Sequence, residues 1–166
     1  PVLATIPEGD GPHPAIVVPH GGPWVREFYG YDEWAVMLAN RGYIVVQPNY
    51  RGSQGAGRDL WIAGDNEWGQ AMQNDIEDSI LHFVEEGIAD GERLAIFGWS
   101  YGGYAAMTAA ARNNGIFNCS VAGAGVSDIG RIRGGLTGNR FQRRFQQPTI
   151  SGYNPIENVR NVAIPM

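Results

Sequence analysis

The feature that most constrains this chain is the hexapeptide GWSYGG at residues 98–103, which has the form G-x-S-x-G. An apolar run of strand length precedes it at residues 94–97, and a run of good helix formers follows at residues 104–111. A serine at a tight turn between a strand and a helix projects its hydroxyl from the top of a parallel sheet. The bare pattern is weak because 24 of the 166 residues are glycine. With its flanks, it predicts Ser100 as a candidate catalytic nucleophile.

The rest of the chain alternates between predicted strands and helices, which indicates an α/β protein with a mostly parallel sheet and helices on both faces. A length of 166 residues favours one domain, 1–166. Trp34, Ala35 and Leu38 are expected to face inward from a helix that ends at Gly42, and Trp99 is expected in the core. The predicted strands lie at residues 1–6, 15–18, 43–46, 94–97 and 119–126; the predicted helices lie at 32–41, from about 69 to the mid-80s, and 104–111, with weaker helical character at 131–145 and in 149–162.

Composition excludes several classes of function. The net charge of −5 gives no general attraction to nucleic acid or anionic membranes. The single cysteine, Cys119, cannot form an internal disulfide, and no apolar run approaches the ~18 residues of a membrane span. The glycine-rich stretch at residues 51–57 lacks dinucleotide-binding spacing, and no metal-ligand pattern is found. We therefore expect no cofactor, and we expect the domain to be incomplete at both ends of the sequence.

Four motifs occur together in a specific order: HGGP at residues 20–23, RGY at 41–43, NYRGS at 49–53 and GWSYGG at 98–103. In this order and spacing the chain resembles the catalytic domain of the prolyl oligopeptidase family of serine peptidases. That family includes dipeptidyl peptidase IV-like and acylaminoacyl peptidase-like enzymes, and HGGP with NYRGS favours the latter. The resemblance implies an α/β-hydrolase fold, here truncated before its last strands, and hydrolysis of peptide or acyl-peptide bonds.

The resemblance also implies a site. Ser100 would attack the acyl carbonyl, and the backbone N–H groups of Tyr101 and of either Gly21 or Gly22 would hold the resulting oxyanion. The first specificity pocket would lie near Tyr101. It would also include Val126 and the segment after it, where Ile129, Ile132 and Leu136 stand at offsets at which proline-selective relatives carry aromatic rings. Simple packing of these aliphatic residues beneath the loop is an equally open interpretation.

The sequence departs from the family pattern in two ways. Residues 13–23 contain no tyrosine that could act as an oxyanion donor, and His20, expected to shape the loop, stands in its place. The triad order in this fold is Ser, then Asp, then His, and Asp128 lies one strand too early. We therefore expect the triad Asp and His to lie outside this sequence and these 166 residues alone to be nearly inactive. The histidines, all of which precede Ser100, are His13, His20 and His82.

Partners follow from the same resemblance. Family members carry a β-propeller over the active site, and an arginine-rich run at residues 131–144 would face it or solvent. The strand at 119–126 is apolar and would form a sheet edge through which the chain self-associates. Two alternatives remain open: a carboxylesterase on the same fold, and a non-catalytic fragment whose only activity is association.

Overall fold

The computed structural model describes residues 1–135 and 138–166. Within these residues, five strands form one sheet in the order β1-β3-β2-β4-β5. Only β1 is antiparallel, pairing with β3; the β2–β3, β2–β4 and β4–β5 pairs are parallel. The strands are β1 (Val2–Thr5), β2 (His13–Val17), β3 (Ile44–Pro48), β4 (Ala89–Trp99) and β5 (Cys119–Gly123); the helices are α1 (Glu33–Ala39), α2 (Arg58–Ile62), α3 (Ala71–Glu85), α4 (Tyr101–Arg112) and α5 (Ile129–Gly135).

One face of the sheet carries the main core. Alternating residues of β4, Leu94 and Ile96, are buried together with Met72 and Ile76 of α3 and with Ala105 of α4. A long α3 with apolar residues at helical spacing was predicted, and Met72, Ile76 and Ile80 are each fully buried. Burying side chains of this kind stabilises a fold by about 1.5–3 kcal/mol each, so α3 and α4 fix the sheet beneath them.

The opposite face is covered by α1. The side chain of Asp32 accepts a hydrogen bond from the Ala35 N–H at 2.7 Å and begins this helix. Ala35 is buried as predicted, but Trp34 is 49% exposed. Its ring lies 5.1 Å from that of Phe97; because α1 covers only part of this face, the expectation of a buried Trp34 is wrong.

Several other elements differ from the sequence prediction in detail. Helix α1 ends at Ala39 rather than at Gly42, which lies in the turn before β3 with a φ of +86°. Helix α2 was not predicted, since five residues are too short to show a period. Residues 131–145 contain α5 and a short π-helix at Gln142–Gln146, and a 3₁₀ helix spans Pro155–Asn161.

Strand β5 lies at the edge of the described sheet. Val121 is 53% exposed there. The Ser120 N–H donates to the Pro165 carbonyl oxygen at 3.0 Å, so the C-terminal segment caps part of this edge. Among the residues described, no helix combines the length and apolar character needed to cross a lipid bilayer.

Candidate active site

Ser100 occupies the sharp turn between β4 and α4. Its φ of 58° and ψ of −116° fall in a region that residues other than glycine rarely adopt, and its N–H donates to the Gly123 carbonyl oxygen at 3.0 Å. Ser100 is exposed, and its side chain makes no capping hydrogen bond to α4 although it occupies the N-cap position. The turn therefore presents a hydroxyl that is not used to cap the helix.

Two glycines make this turn possible. A Cβ atom at Gly98 would overlap the backbone of Gly102, and one at Gly102 would overlap the carbonyl oxygen of Pro19. The first turn of α4 thus lies directly against the chain that leaves β2. Backbone atoms cannot move aside as a flexible side chain can, so both positions require glycine.

The loop after β2 passes beside Ser100 because β2 and β4 are parallel neighbours. A Cβ atom at Gly21 would lie 3.5 Å from the Ser100 Cβ and 3.9 Å from its Oγ. Gly22 has a φ of +114°, and a Cβ there would lie 2.8 Å from the Trp24 nitrogen. The structure thus brings Gly21, in the first motif, next to Ser100, in the last.

His20 is 7% exposed and anchors this loop. Its Nδ1 lies 2.7 Å from the Gly21 carbonyl oxygen and its Nε2 lies 2.8 Å from the Ser53 Oγ. Burial lowers the pKa of His20, an effect that the bond to Gly21 partly opposes. His20 is therefore a neutral, fully bonded side chain in the loop.

Among the described residues, no histidine is positioned to act as a base for Ser100. His13 lies at the beginning of β2, at the end of the strand away from Gly21, and His82 is an exposed residue of α3. Asp128 is also engaged, since its Oδ1 accepts from the N–H groups of Gly130 and Arg131 at 2.9 and 3.2 Å. Its carboxylate begins helix α5.

The described residues expected to form the specificity pocket belong to the main hydrophobic core or pack against it. Tyr101 is 2% and Ile129 8% exposed, whereas Val126 and Ile132 are half-buried. The Tyr101 ring is directed into the core, where its edge meets Trp68 at 4.7 Å and its hydroxyl donates to the Met72 Sδ at 3.5 Å. Only Val126 and Ile132 retain side-chain surface for a ligand. Leu136 lies outside the described residues.

On the other side of the loop lies a cavity of about 360 Å³. Its walls include Gly21, Trp34, Phe97 and Trp99. Trp99 is 65% exposed, so its expected place in the core is wrong. Trp99 precedes Ser100 and lies on the outer face of β4, so its indole borders the cavity instead. Within the described chain no group of three or more His, Cys, Asp or Glu residues is arranged to hold a metal ion.

Sequence reasoning gave no role to Tyr50 or Ser53, although it singled out the NYRGS motif that contains them. Both are buried and both bond to His20. The remaining motif residues are also engaged: Asn49 Oδ1 accepts from the Glu27 N–H at 2.9 Å, and Arg51 Nε donates to the Asp75 Oδ2 at 2.7 Å. The joint presence of HGGP and NYRGS is the sequence signal that could have indicated these contacts with His20.

Comparison with known proteins agrees with this geometry. Residues 29–164 match the sequence model that describes the prolyl oligopeptidase family. Dipeptidyl aminopeptidase BIII of Pseudoxanthomonas mexicana is 40% identical over 125 residues, which are 75% of this chain and 18% of that protein. The acylamino-acid-releasing enzyme of Mus musculus is 32% identical over 91 residues, 55% of this chain and 12% of that protein. The chain thus spans less than a fifth of the length of these curated relatives.

Solved structures support the same assignment. The acylaminoacyl peptidase of Pyrococcus horikoshii superposes with a TM-score of 0.85 at 26% identity, covering 99% of this chain and 28% of that one. A puromycin-hydrolyzing peptidase of Mycobacterium tuberculosis gives 0.86 at 25% identity, covering 99% and 27%. The α/β-hydrolase fold expected from the sequence is confirmed, and the chain belongs to the prolyl oligopeptidase family.

Proposed function

We propose that these residues are part of a serine peptidase that hydrolyses peptide or acyl-peptide bonds with Ser100 as nucleophile. The observation that carries the proposal is the exposed Ser100 at a strained strand–helix turn, with Gly21 beside it. The turn leaves the hydroxyl free to reach a carbonyl carbon, and the adjacent glycine leaves room for the substrate.

The reaction proceeds in two steps. The Ser100 Oγ forms a bond to the carbonyl carbon and gives its proton to a base, and the collapse of the tetrahedral intermediate breaks the C–N bond and releases the protonated amine. Water then attacks the acyl-enzyme, which releases the carboxylic acid and restores the serine. The base and its carboxylate partner are supplied from outside these 166 residues, so the isolated chain is nearly inactive.

Two backbone donors hold the oxyanion. The first is the Tyr101 N–H, at the N-terminus of α4, where the helix dipole favours negative charge. The second comes from Gly21 or Gly22. The Gly21 carbonyl faces the His20 ring, and the peptide that follows is trans, so the Gly22 N–H is directed away from that ring. This favours Gly22 as the second donor.

The substrate pocket and the partners complete the proposal. The half-buried Val126 and Ile132 and the buried Ile129 are aliphatic and would suit a medium-sized apolar side chain. A β-propeller elsewhere in the full-length protein would cover the site. The 166-residue chain would self-associate through β5, where Val121 is exposed; a monodisperse monomer in light scattering would contradict that part.

A fluorophosphonate serine-hydrolase probe tests the nucleophile. We expect rapid labelling of the full-length protein at one site, loss of labelling and about a 10⁶-fold lower kcat in Ser100→Ala, and unchanged labelling in the control Ser127→Ala, which removes another exposed serine. The 166-residue chain, with its mass verified at 18.1 kDa, should not label.

Substrate choice tests the reaction class. Turnover of acyl-peptide p-nitroanilides, which contain an amide bond, is expected. Turnover of p-nitrophenyl esters alone would replace the peptidase by a carboxylesterase, and labelling at a residue other than Ser100 would overturn the proposed nucleophile.

A further inference from the structure

Tyr50 connects the two segments that carry the proposed oxyanion donors. It follows β3 and is 1% exposed. Its ring stacks on the His20 imidazole with centroids 4.4 Å apart and planes 19° apart, and on the Tyr101 ring at 5.4 Å and 22°. His20 precedes Gly21 in the loop, and Tyr101 follows the nucleophile. One buried ring therefore touches the side chains that begin both donor segments.

Hydrogen bonds fix the loop side of this stack. The Tyr50 hydroxyl donates to the His20 carbonyl oxygen at 2.7 Å. The His20 Nδ1 faces the Gly21 carbonyl oxygen, which can only accept, so Nδ1 carries the proton of the neutral ring. Nε2 is then an acceptor, and the Ser53 hydroxyl, which is fully buried, donates to it at 2.8 Å.

Two consecutive peptide groups are held by these bonds. Tyr50 holds the carbonyl between His20 and Gly21, and the His20 ring holds the carbonyl between Gly21 and Gly22. Because a peptide group is planar, fixing its carbonyl also fixes the direction of its N–H. The orientations of the Gly21 and Gly22 N–H groups are therefore set by Tyr50, His20 and Ser53.

We propose that Tyr50 is a positioning residue that sets the distance and orientation between the two oxyanion donors, with His20 and Ser53 completing the brace. This inference rests on the proposed function. Donors arranged before the reaction stabilise the transition state without a reorganisation cost, and a single rigid ring in contact with both segments provides that arrangement. The proposal also accounts for the joint presence of the HGGP and NYRGS motifs.

Tyr104 offers a matched control within the same core. It is fully buried, its ring lies 5.3 Å from that of Tyr101, and its hydroxyl donates to a backbone carbonyl oxygen, that of Tyr153, at 2.8 Å. Removing either hydroxyl deletes a hydrogen bond to a main-chain carbonyl, which is buried at Tyr50 and partly buried at Tyr104; the Tyr50 hydroxyl also lies 3.2 Å from the His20 Nδ1. Only the Tyr50 bond ends on the loop beside Ser100.

Kinetics of the full-length protein separate positioning from packing. We expect Tyr50→Phe to lower kcat about tenfold, less than the loss of a whole donor, with KM unchanged and with an equal weakening of a peptidyl trifluoromethyl ketone, which binds as an oxyanion. Ser53→Ala should act in the same direction, and Tyr104→Phe should leave kcat and inhibition unchanged. Equal kcat losses in Tyr50→Phe and Tyr104→Phe, or a change in KM alone, would overturn the proposal.

Hydrogen exchange decides the point without activity. Peptides covering residues 18–25 and 99–104 should exchange their amides faster in Tyr50→Phe than in the wild type, whereas Tyr104→Phe should leave residues 18–25 unchanged. Unchanged exchange in Tyr50→Phe would refute the brace. If the wild type neither labels nor turns over substrate, the proposed function fails, and this measurement still decides whether Tyr50 holds the loop.

Discussion

The two sides of the Ser100 turn pack against their neighbours in different ways. On the loop side, residues 18–23 and 98–103 meet through glycine backbone, and a Cβ at Gly102 would overlap the Pro19 carbonyl oxygen. On the pocket side, residues 126–135 meet the core through aliphatic side chains, and a Cβ at Gly134 would meet nothing within 4 Å. Under the proposed function, the oxyanion donors lie on the glycine-packed side and the substrate pocket lies on the side lined by aliphatic side chains.

This division suits the two tasks. Oxyanion stabilisation requires donors placed to a fraction of an ångström, and backbone atoms held by buried hydrogen bonds meet that need. A specificity pocket gains or loses about 1–3 kcal/mol for each methylene it accommodates, so under the proposed function changes in the side chains of α5 would alter substrate preference without moving Ser100.

The largest expected difference between the two sides is the change in stability caused by adding one methyl group to each. Gly102→Ala should destabilise the fold by about 5 kcal/mol, since backbone meets backbone and neither can yield. Gly134→Ala, at an exposed position of α5, should be neutral or stabilising by up to about 1 kcal/mol. Urea denaturation of both variants measures the difference, and similar stabilities would contradict the rigid assignment of the loop side.

A methyl group added at Gly21 allows an effect on catalysis to be measured apart from an effect on folding, also on the loop side. The Cβ of Gly21→Ala would lie 3.4 Å from the Trp99 carbonyl oxygen and 3.5 Å from the Ser100 Cβ, which are ordinary contacts. The fold should tolerate this change, yet the methyl group occupies space beside the nucleophile. We expect kcat/KM of the full-length protein to fall about 10²–10³-fold, as when an oxyanion donor is lost, with little change in stability.

Gly30→Ala is the control for this variant, because a Cβ at Gly30 would meet nothing within 4 Å. Its kcat/KM should equal that of the wild type. A Gly21→Ala protein with full activity would show that the loop does not border the reacting carbonyl.

The same contrast explains what could be predicted from the sequence. The Ser100 turn was predictable because its requirements are local: glycines, a strand before and a helix after. The exposure of Trp99 and Trp34 was not, since it depends on how much of the sheet α1 covers. The contact of Tyr50 with His20 was also hidden, because the hydrogen bond between them joins residues 30 positions apart. The Tyr101 ring, expected at the pocket, turned into the core for a similar non-local reason: Trp68 and Met72 are there to receive it.

The smallest expected effect is a pH dependence of the stability that His20 gives to the loop side. Burial lowers the pKa of His20 below 6.5, so the folded protein binds its proton less readily than the unfolded chain. Above pH 6.5 both states are neutral at this residue. As the pH falls below 6.5 and through the lower folded pKa, the unfolded chain takes up the proton first, and the stability conferred by the neutral His20 is lost.

Urea unfolding between pH 5 and pH 8 measures this effect. The free energy of unfolding of the wild type should decrease toward pH 5 more steeply than that of His20→Asn, whose side chain does not titrate but can still bond within the loop. Parallel profiles for the two proteins would mean that His20 is as easily protonated in the fold as in the unfolded chain. In that case burial would not keep the His20 ring neutral, and the proton arrangement assigned to its two nitrogens would be wrong.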